Sequence, residues 1–251
     1  MSVWGKLIGG ATGLALGGPI GAILGLAAGH GVDRASSYKH NNKIFNVKEK
    51  EQVFASGVVA LAAKLSKADG IITKEEIITF KKIFDFPKED EKAISKLFNA
   101  AKESTQDYKD IANQIYVFFH KDKSLLFELL NSLFAIAYAD NDFHKNEKEM
   151  LKQISRIFKF SEKDFEHINS LFIDKKSSNL DKLSTYFKVL GVKEDTSLED
   201  ITKKYKTLIK EYHPDRLQGL GLPKDFIQLA NKKLSSINEA YSAIKNEKKV
   251  K

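Results

Sequence analysis

Residues 201–216 read Ile-Thr-Lys-Lys-Tyr-Lys-Thr-Leu-Ile-Lys-Glu-Tyr-His-Pro-Asp-Arg, and residues 227–244 read Ile-Gln-Leu-Ala-Asn-Lys-Lys-Leu-Ser-Ser-Ile-Asn-Glu-Ala-Tyr-Ser-Ala-Ile. In the first stretch Ile201, Tyr205, Leu208, Ile209 and Tyr212 fall on one helical face. Lys203, Lys204, Lys206 and Lys210 are its basic residues. Ser197-x-x-Asp200 is a capping-box-like start, with Asp in place of the usual Glu. The helix is expected to end before Pro214, because proline disfavours a helical residue ahead of it. In the second stretch Ile227, Ala230, Leu234, Ile237, Tyr241 and Ile244 recur at 3-4-3-4-3 spacing, the stripe of a long amphipathic helix. The segment from Pro214 to about Pro223, with Gly219 and Gly221, reads as a loop. The pattern predicts an antiparallel helical hairpin with an exposed basic loop.

Upstream, Tyr186 to Val192 is a short apolar helix stopped by Gly191. Residues 174–183 are polar and read as a linker. Residues 47–173 read as all helix, with a domain over 50–173 and apolar positions such as Val53, Val58, Leu61, Ala62 and Leu65 at three- and four-residue steps. This middle region repeats itself. Ala68-Asp69-Gly70 returns as Ala139-Asp140-Asn141, Glu76 as Glu147, and Ile83-Phe84-Asp85-Phe86 as Ile157-Phe158-Lys159-Phe160. Each copy reads as helix, acidic turn, helix, so the two together predict a pseudo-symmetric bundle.

The acidic turns raise the question of a metal. Asp69 and Glu76 match the second half of an EF-hand loop, but Leu65 and Lys67 stand where the first carboxylates belong. A standard calcium loop is therefore excluded. Asp69, Glu76, Asp140 and Glu147 converging across the pseudo-twofold would still make a four-oxygen divalent site. Against that stands the ordinary use of Asp in turns and of Glu in a first helical turn. No other cofactor is expected.

Residues 1–34 differ in kind. From Leu7 to Gly29 there is no charge, and these positions span about 34 Å as a helix, enough for a hydrocarbon core of ~30 Å. A signal peptide would have a shorter apolar run and a small-residue cleavage site. Gly9, Gly13, Gly17, Gly21 and Gly25 recur every fourth residue, a stripe suited to close association of two membrane helices. Pro19 lies mid-segment, and the glycine content leaves peripheral or hairpin insertion open. Arg34, Lys39, Lys43, Lys48 and Lys50 follow, with residues 35–49 forming a basic linker. The positive-inside tendency predicts a single-pass protein with a short N-terminus outside and the C-terminal bulk in the cytoplasm.

Charge is distributed accordingly. The net +8 comes from residues 1–46 (+3) and 181–251 (+5), while 47–180 is neutral. A uniformly basic nucleic-acid binder would look different, and none of that chemistry is expected. With 42% hydrophobic residues the chain can build a core, and with no cysteine it excludes disulfides, thiolate zinc sites and thiol catalysis.

The motifs together carry a resemblance. Tyr205-Lys206-x-Leu208-x-Lys210-x-Tyr212 followed by His213-Pro214-Asp215, with Tyr186-x-x-x-Leu190-Gly191-Val192 before and Ile237-Asn238-Glu239-Ala240-Tyr241 after, resembles the J domain over residues 184–251. Lys67-Ala68-Asp69-Gly70 and Ala137-Tyr138-Ala139-Asp140 resemble the TerB-like helical domain. The whole layout, including Trp4-Gly5-Lys6 and the 217–223 segment, is similar to DjlA-type membrane-anchored co-chaperones. The resemblance implies an all-α chain: transmembrane helix, TerB-like bundle, J-domain hairpin. It implies a DnaK-type ATPase partner, docked by His213, Pro214, Asp215, Arg216, Tyr205 and the basic residues Lys203, Lys204, Lys206 and Lys210. It implies a regulator rather than an enzyme, at the cell inner membrane and in contact with its lipid, dimeric through the glycine stripe. A metal- or stress-responsive membrane adaptor acting through the middle domain is the alternative. A His-Asp hydrolytic centre lacks any identified nucleophile or metal neighbour.

Overall fold

A computed structural model describes Gly21 and residues 47–67, 88, 91–104, 107–138, 143–172 and 179–250. Every regular element among these residues is helical. In chain order they are α1 (Val47–Leu65), α2 (Glu91–Glu103), α3 (Tyr108–Phe119), α4 (Lys123–Ala137), α5 (Lys145–Ile157) and α6 (Glu162–Phe172). Then come α7 (Asn179–Leu190), α8 (Leu198–Glu211), α9 (Pro214–Leu220), a 3-10 turn (Lys224–Phe226) and α10 (Ile227–Val250). No helix among them is long and apolar enough to cross a membrane. Apart from Gly21, residues 1–46 lie outside the described residues, as do residues 68–87.

The middle domain is built around two helices buried on all sides. In α1 the run Val53–Ala63 is without exposed surface, and in α4 buried residues extend from Ser124 through Phe134. The sequence explains this: neither run carries a polar stripe wide enough to face water. Helices α2, α3 and α4 pack on α1, and α5 and α6 pack on α4. At Gly57 α1 lies close against α3, since a Cβ there would stand 2.8 Å from Ile115 Cδ1. Phe134 collects Phe143, Phe165 and Phe172 around it, with ring centroids 5.3–6.1 Å away. Tyr138 donates to Asn169 Oδ1 at 2.8 Å, pinning the end of α4 to α6.

The C-terminal domain is the expected hairpin, α8 antiparallel to α10, with α7 laid across α10. Ile201 and Leu208 of α8 and Ala230, Ile237, Ala240 and Ile244 of α10 are all buried, and the two helices pack together. Three ties hold its helices in register. Tyr186 donates to Glu239 Oε1 at 2.7 Å, Tyr205 donates to Asn238 Oδ1 at 3.0 Å, and the Tyr205 and Tyr241 rings stack at 4.0 Å.

Three boundaries differ from the sequence reading. The stretch from Pro214 to Pro223 is not a loop, because Pro214–Leu220 forms α9. Proline at its first position is pre-set for helical φ, and Leu217 buries fully on its inner side. The 174–183 linker is helical from Asn179 onward, and the 35–49 linker gives way to α1 at Val47. In α7 the periodicity of Leu183, Phe187 and Leu190 extends back to Leu180, a continuation hidden by the charged residues between them.

Candidate functional site

The His-Pro-Asp segment is fixed locally by its own chemistry. Helix α8 starts at Ser197, whose hydroxyl oxygen accepts from the Asp200 amide at 3.1 Å and donates to the Asp200 carboxylate at 2.8 Å. It ends at Glu211, with the Tyr212 amide still donating to the Leu208 carbonyl at 2.9 Å. His213 then caps α9: its Nδ1 accepts from the Asp215 amide at 3.3 Å. That bond occupies the Nδ1 lone pair, so the neutral ring carries its proton on Nε2. Asp215 Oδ2 lies 3.8 Å from the same Nδ1, too far for a hydrogen bond. At the far end of α9, Gly221 takes φ 109° and closes the turn.

These two side chains are displayed outward. The side chain of His213 is 50% exposed and that of Asp215 is 90% exposed. Lys203, Lys204, Lys206 and Lys210 line the neighbouring α8 surface, all exposed. Lys203 has an ion pair within its own helix, a 3.8 Å contact one turn back to Glu199. Tyr205 does not share this exposure: half-buried, it stacks and bonds within the hairpin. Arg216 is exposed but reaches across to the middle domain. Its Nη1 donates to the Glu211 carbonyl at 2.9 Å and to the Ser124 hydroxyl of the middle domain at 3.0 Å.

Behind the His-Pro-Asp segment the hairpin seats on the middle domain, and here the structure holds residues that the sequence reading passed over. Lys233 of α10 is buried, with its ammonium 3.6 Å from Glu128 Oε1 of α4, an ion pair rather than a hydrogen bond. The same ammonium lies 3.2 Å from the Phe127 ring centroid and 3.5 Å from that of Tyr212. Burial pulls the Lys233 ammonium below its ordinary range, with the charge of Glu128 opposing, and pushes the Glu128 carboxyl up. Tyr212 is held well above the ordinary phenol value, first by burial and then by the charges of Glu211 and Glu128. Phe226 meets Phe54 edge-on at 4.9 Å. The signal for Lys233 was in the spacing: Ala230, Lys233, Ile237, Ala240 and Ile244 form an inward stripe along α10.

The other predicted positions fall apart differently. Asp69, Glu76 and Asp140 lie outside the described residues, as do Gly9, Gly13, Gly17 and Gly25. Glu147 is buried, and its Oε2 accepts from the His144 amide at 3.0 Å as the reciprocal half of a capping box.

Comparisons with known proteins match this geometry. Three family models cover the chain: the co-chaperone DjlA transmembrane domain at residues 1–42, tellurite resistance protein TerB at 55–170, and the DnaJ domain at 185–251. The co-chaperone protein DjlA of Photobacterium profundum is 28% identical, over 98% of this chain and 99% of its own. That of Escherichia coli is 26% identical over 99% of each, and that of Vibrio cholerae is 27% identical over 81% of each. No solved structure matches the chain. Hairpin, displayed His-Pro-Asp segment and family match together define a J-domain protein. Its order of domains, DjlA transmembrane segment, TerB domain and J domain, is the DjlA-type architecture.

Proposed function

We propose that this chain is a membrane-anchored J-domain co-chaperone that stimulates ATP hydrolysis by a DnaK-type chaperone. The observation that carries this is the outward display of His213 and Asp215 beside the exposed basic face of α8. The lysines attract an acidic partner surface and raise the encounter rate. His213 and Asp215 then make directional polar contacts from a segment already ordered by Pro214, by the His213 cap and by Gly221, so little ordering entropy opposes binding. The ATP-hydrolysing groups belong to the partner, and the role of this chain is regulatory. Single-turnover ATP hydrolysis by DnaK, with the full chain in vesicles, tests the reading. Stimulation should fall to the basal rate with His213→Gln, and equal stimulation by both proteins refutes it.

In this reading the N-terminal segment spans the cell inner membrane once, with the TerB and J domains in the cytoplasm. The glycine stripe pairs two copies. Replacing Gly17→Leu together with Gly21→Leu should reduce crosslinked dimer in membranes, and an unchanged yield would remove the dimer from the proposal.

A further inference from the structure

The seam between the TerB and J domains is apolar with opposite charges sealed inside. The side chains of Lys233 and Glu128 are only 6% and 2% exposed. Two charges so placed are tolerated because each supplies the other's counter-charge, and because the Phe127 and Tyr212 rings present their negative faces to the ammonium. Separating the domains would leave a lone carboxylate on one apolar face and a lone ammonium on the other. One register alone satisfies both groups, so the contact specifies geometry as well as attraction. Gly221 enforces the same fit, since a Cβ there would stand 2.6 Å from Lys50 Cβ of α1.

Arg216 links this seam to the His-Pro-Asp segment. It follows Asp215 directly, and one nitrogen of its guanidinium serves both Glu211 of the J domain and Ser124 of the TerB domain. His213, Asp215 and the lysines of α8 meanwhile remain exposed with the domains together. A partner can therefore reach the docked J domain, but it meets Arg216 already engaged.

We propose that the α1–α4 face of the TerB domain is the docking surface for this chain's own J domain, and that docking and ATPase-partner engagement compete for Arg216. The second half rests on the function proposed above; the first does not. By linkage, loosening the Ser124 contact strengthens partner binding, and partner binding weakens docking by the same factor.

The cysteine-free chain permits a direct test of docking. Spin labels at Val117→Cys on α3 and Ser242→Cys on α10, both exposed positions, report the interdomain distance in the full chain. A single narrow distribution is expected. Glu128→Lys should broaden it, and adding Lys233→Glu should restore it. A broad distribution in the parent, or failure of the reversed pair to restore a narrow one, overturns the docking surface. Competition for Arg216 is read by titrating the full chain against DnaK ATP hydrolysis. Ser124→Ala should lower the half-maximal concentration by about threefold, as expected for release of one hydrogen bond, with the plateau unchanged. An unchanged or higher half-maximal concentration overturns the competition. If the parent gives no stimulation at any concentration, the co-chaperone reading has failed instead, and the distances still decide the docking.

Discussion

At Gly221 two requirements coincide: a backbone φ of 109°, and a Cβ position 2.6 Å from Lys50 Cβ. Only the first could be suspected from a glycine in a turn. Gly221→Ala should cost about 2 kcal/mol of stability, from left-handed strain and from displacement of α1. Urea denaturation of the full chain measures it, and a loss below about 0.5 kcal/mol would mean the seam yields freely. Glu147 teaches the converse lesson. Its spacing from Glu76 suggested a ligand, while its carboxylate accepts from the amide that opens α5. Lys233 stands beside Lys232 in the chain, yet it is buried and Lys232 is exposed.

Among the elements, α8 was the easiest to read from the chain. Its cap, apolar face, basic face and stop at Pro214 lie close together, and each has a local cause. Ser197→Ala removes the cap and should cost about 1 kcal/mol, seen as a lower unfolding midpoint with unchanged cooperativity. Helix α9 could not be read in the same way, because a seven-residue helix that includes Gly219 is too short to show a period. Its helical state comes from Pro214 at the first position, the His213 cap and burial of Leu217, the last a tertiary effect. The start of α7 was missed for a related reason. Charged residues mask its first turn, and the helix is completed by packing on α10.

At the scale of the whole molecule, the opposite charges of Lys233 and Glu128 are buried where the two domains meet. His167 of α6 lies near this region, with its ring 6.5 Å from Phe127. Its imidazole is held down from 6.5 to about 4, first by burial and then by the positive charge of Lys233, with Lys204 adding to this and Asp164 opposing. In the unfolded chain the same ring takes up its proton near the ordinary value. The native state therefore binds fewer protons between these two pH values, and stability is lost as pH falls through that window. Above about pH 6.5 the contribution is fully present, and below about pH 4 both states are protonated and the loss stops. The total is at most about 3 kcal/mol. His167→Gln should flatten this part of the curve of unfolding free energy against pH, and a curve identical to the parent's would remove His167 as its cause.

The all-helical class, the hairpin and its His-Pro-Asp motif, the basic face of α8 and the order of the three domains are all written along the chain. Each lies in spacing or in adjacent residues, because helical periodicity, caps and proline stops act within a few residues of one another. It took packing in three dimensions to bring Lys233 to Glu128 between two rings, Arg216 to Ser124, and Lys50 against Gly221. Those pairs are separated by 105, 92 and 171 positions in the numbering. No local rule relates residues so distant. They meet because the apolar faces of two separate domains bury against each other, and that packing selects which polar groups are sealed between them.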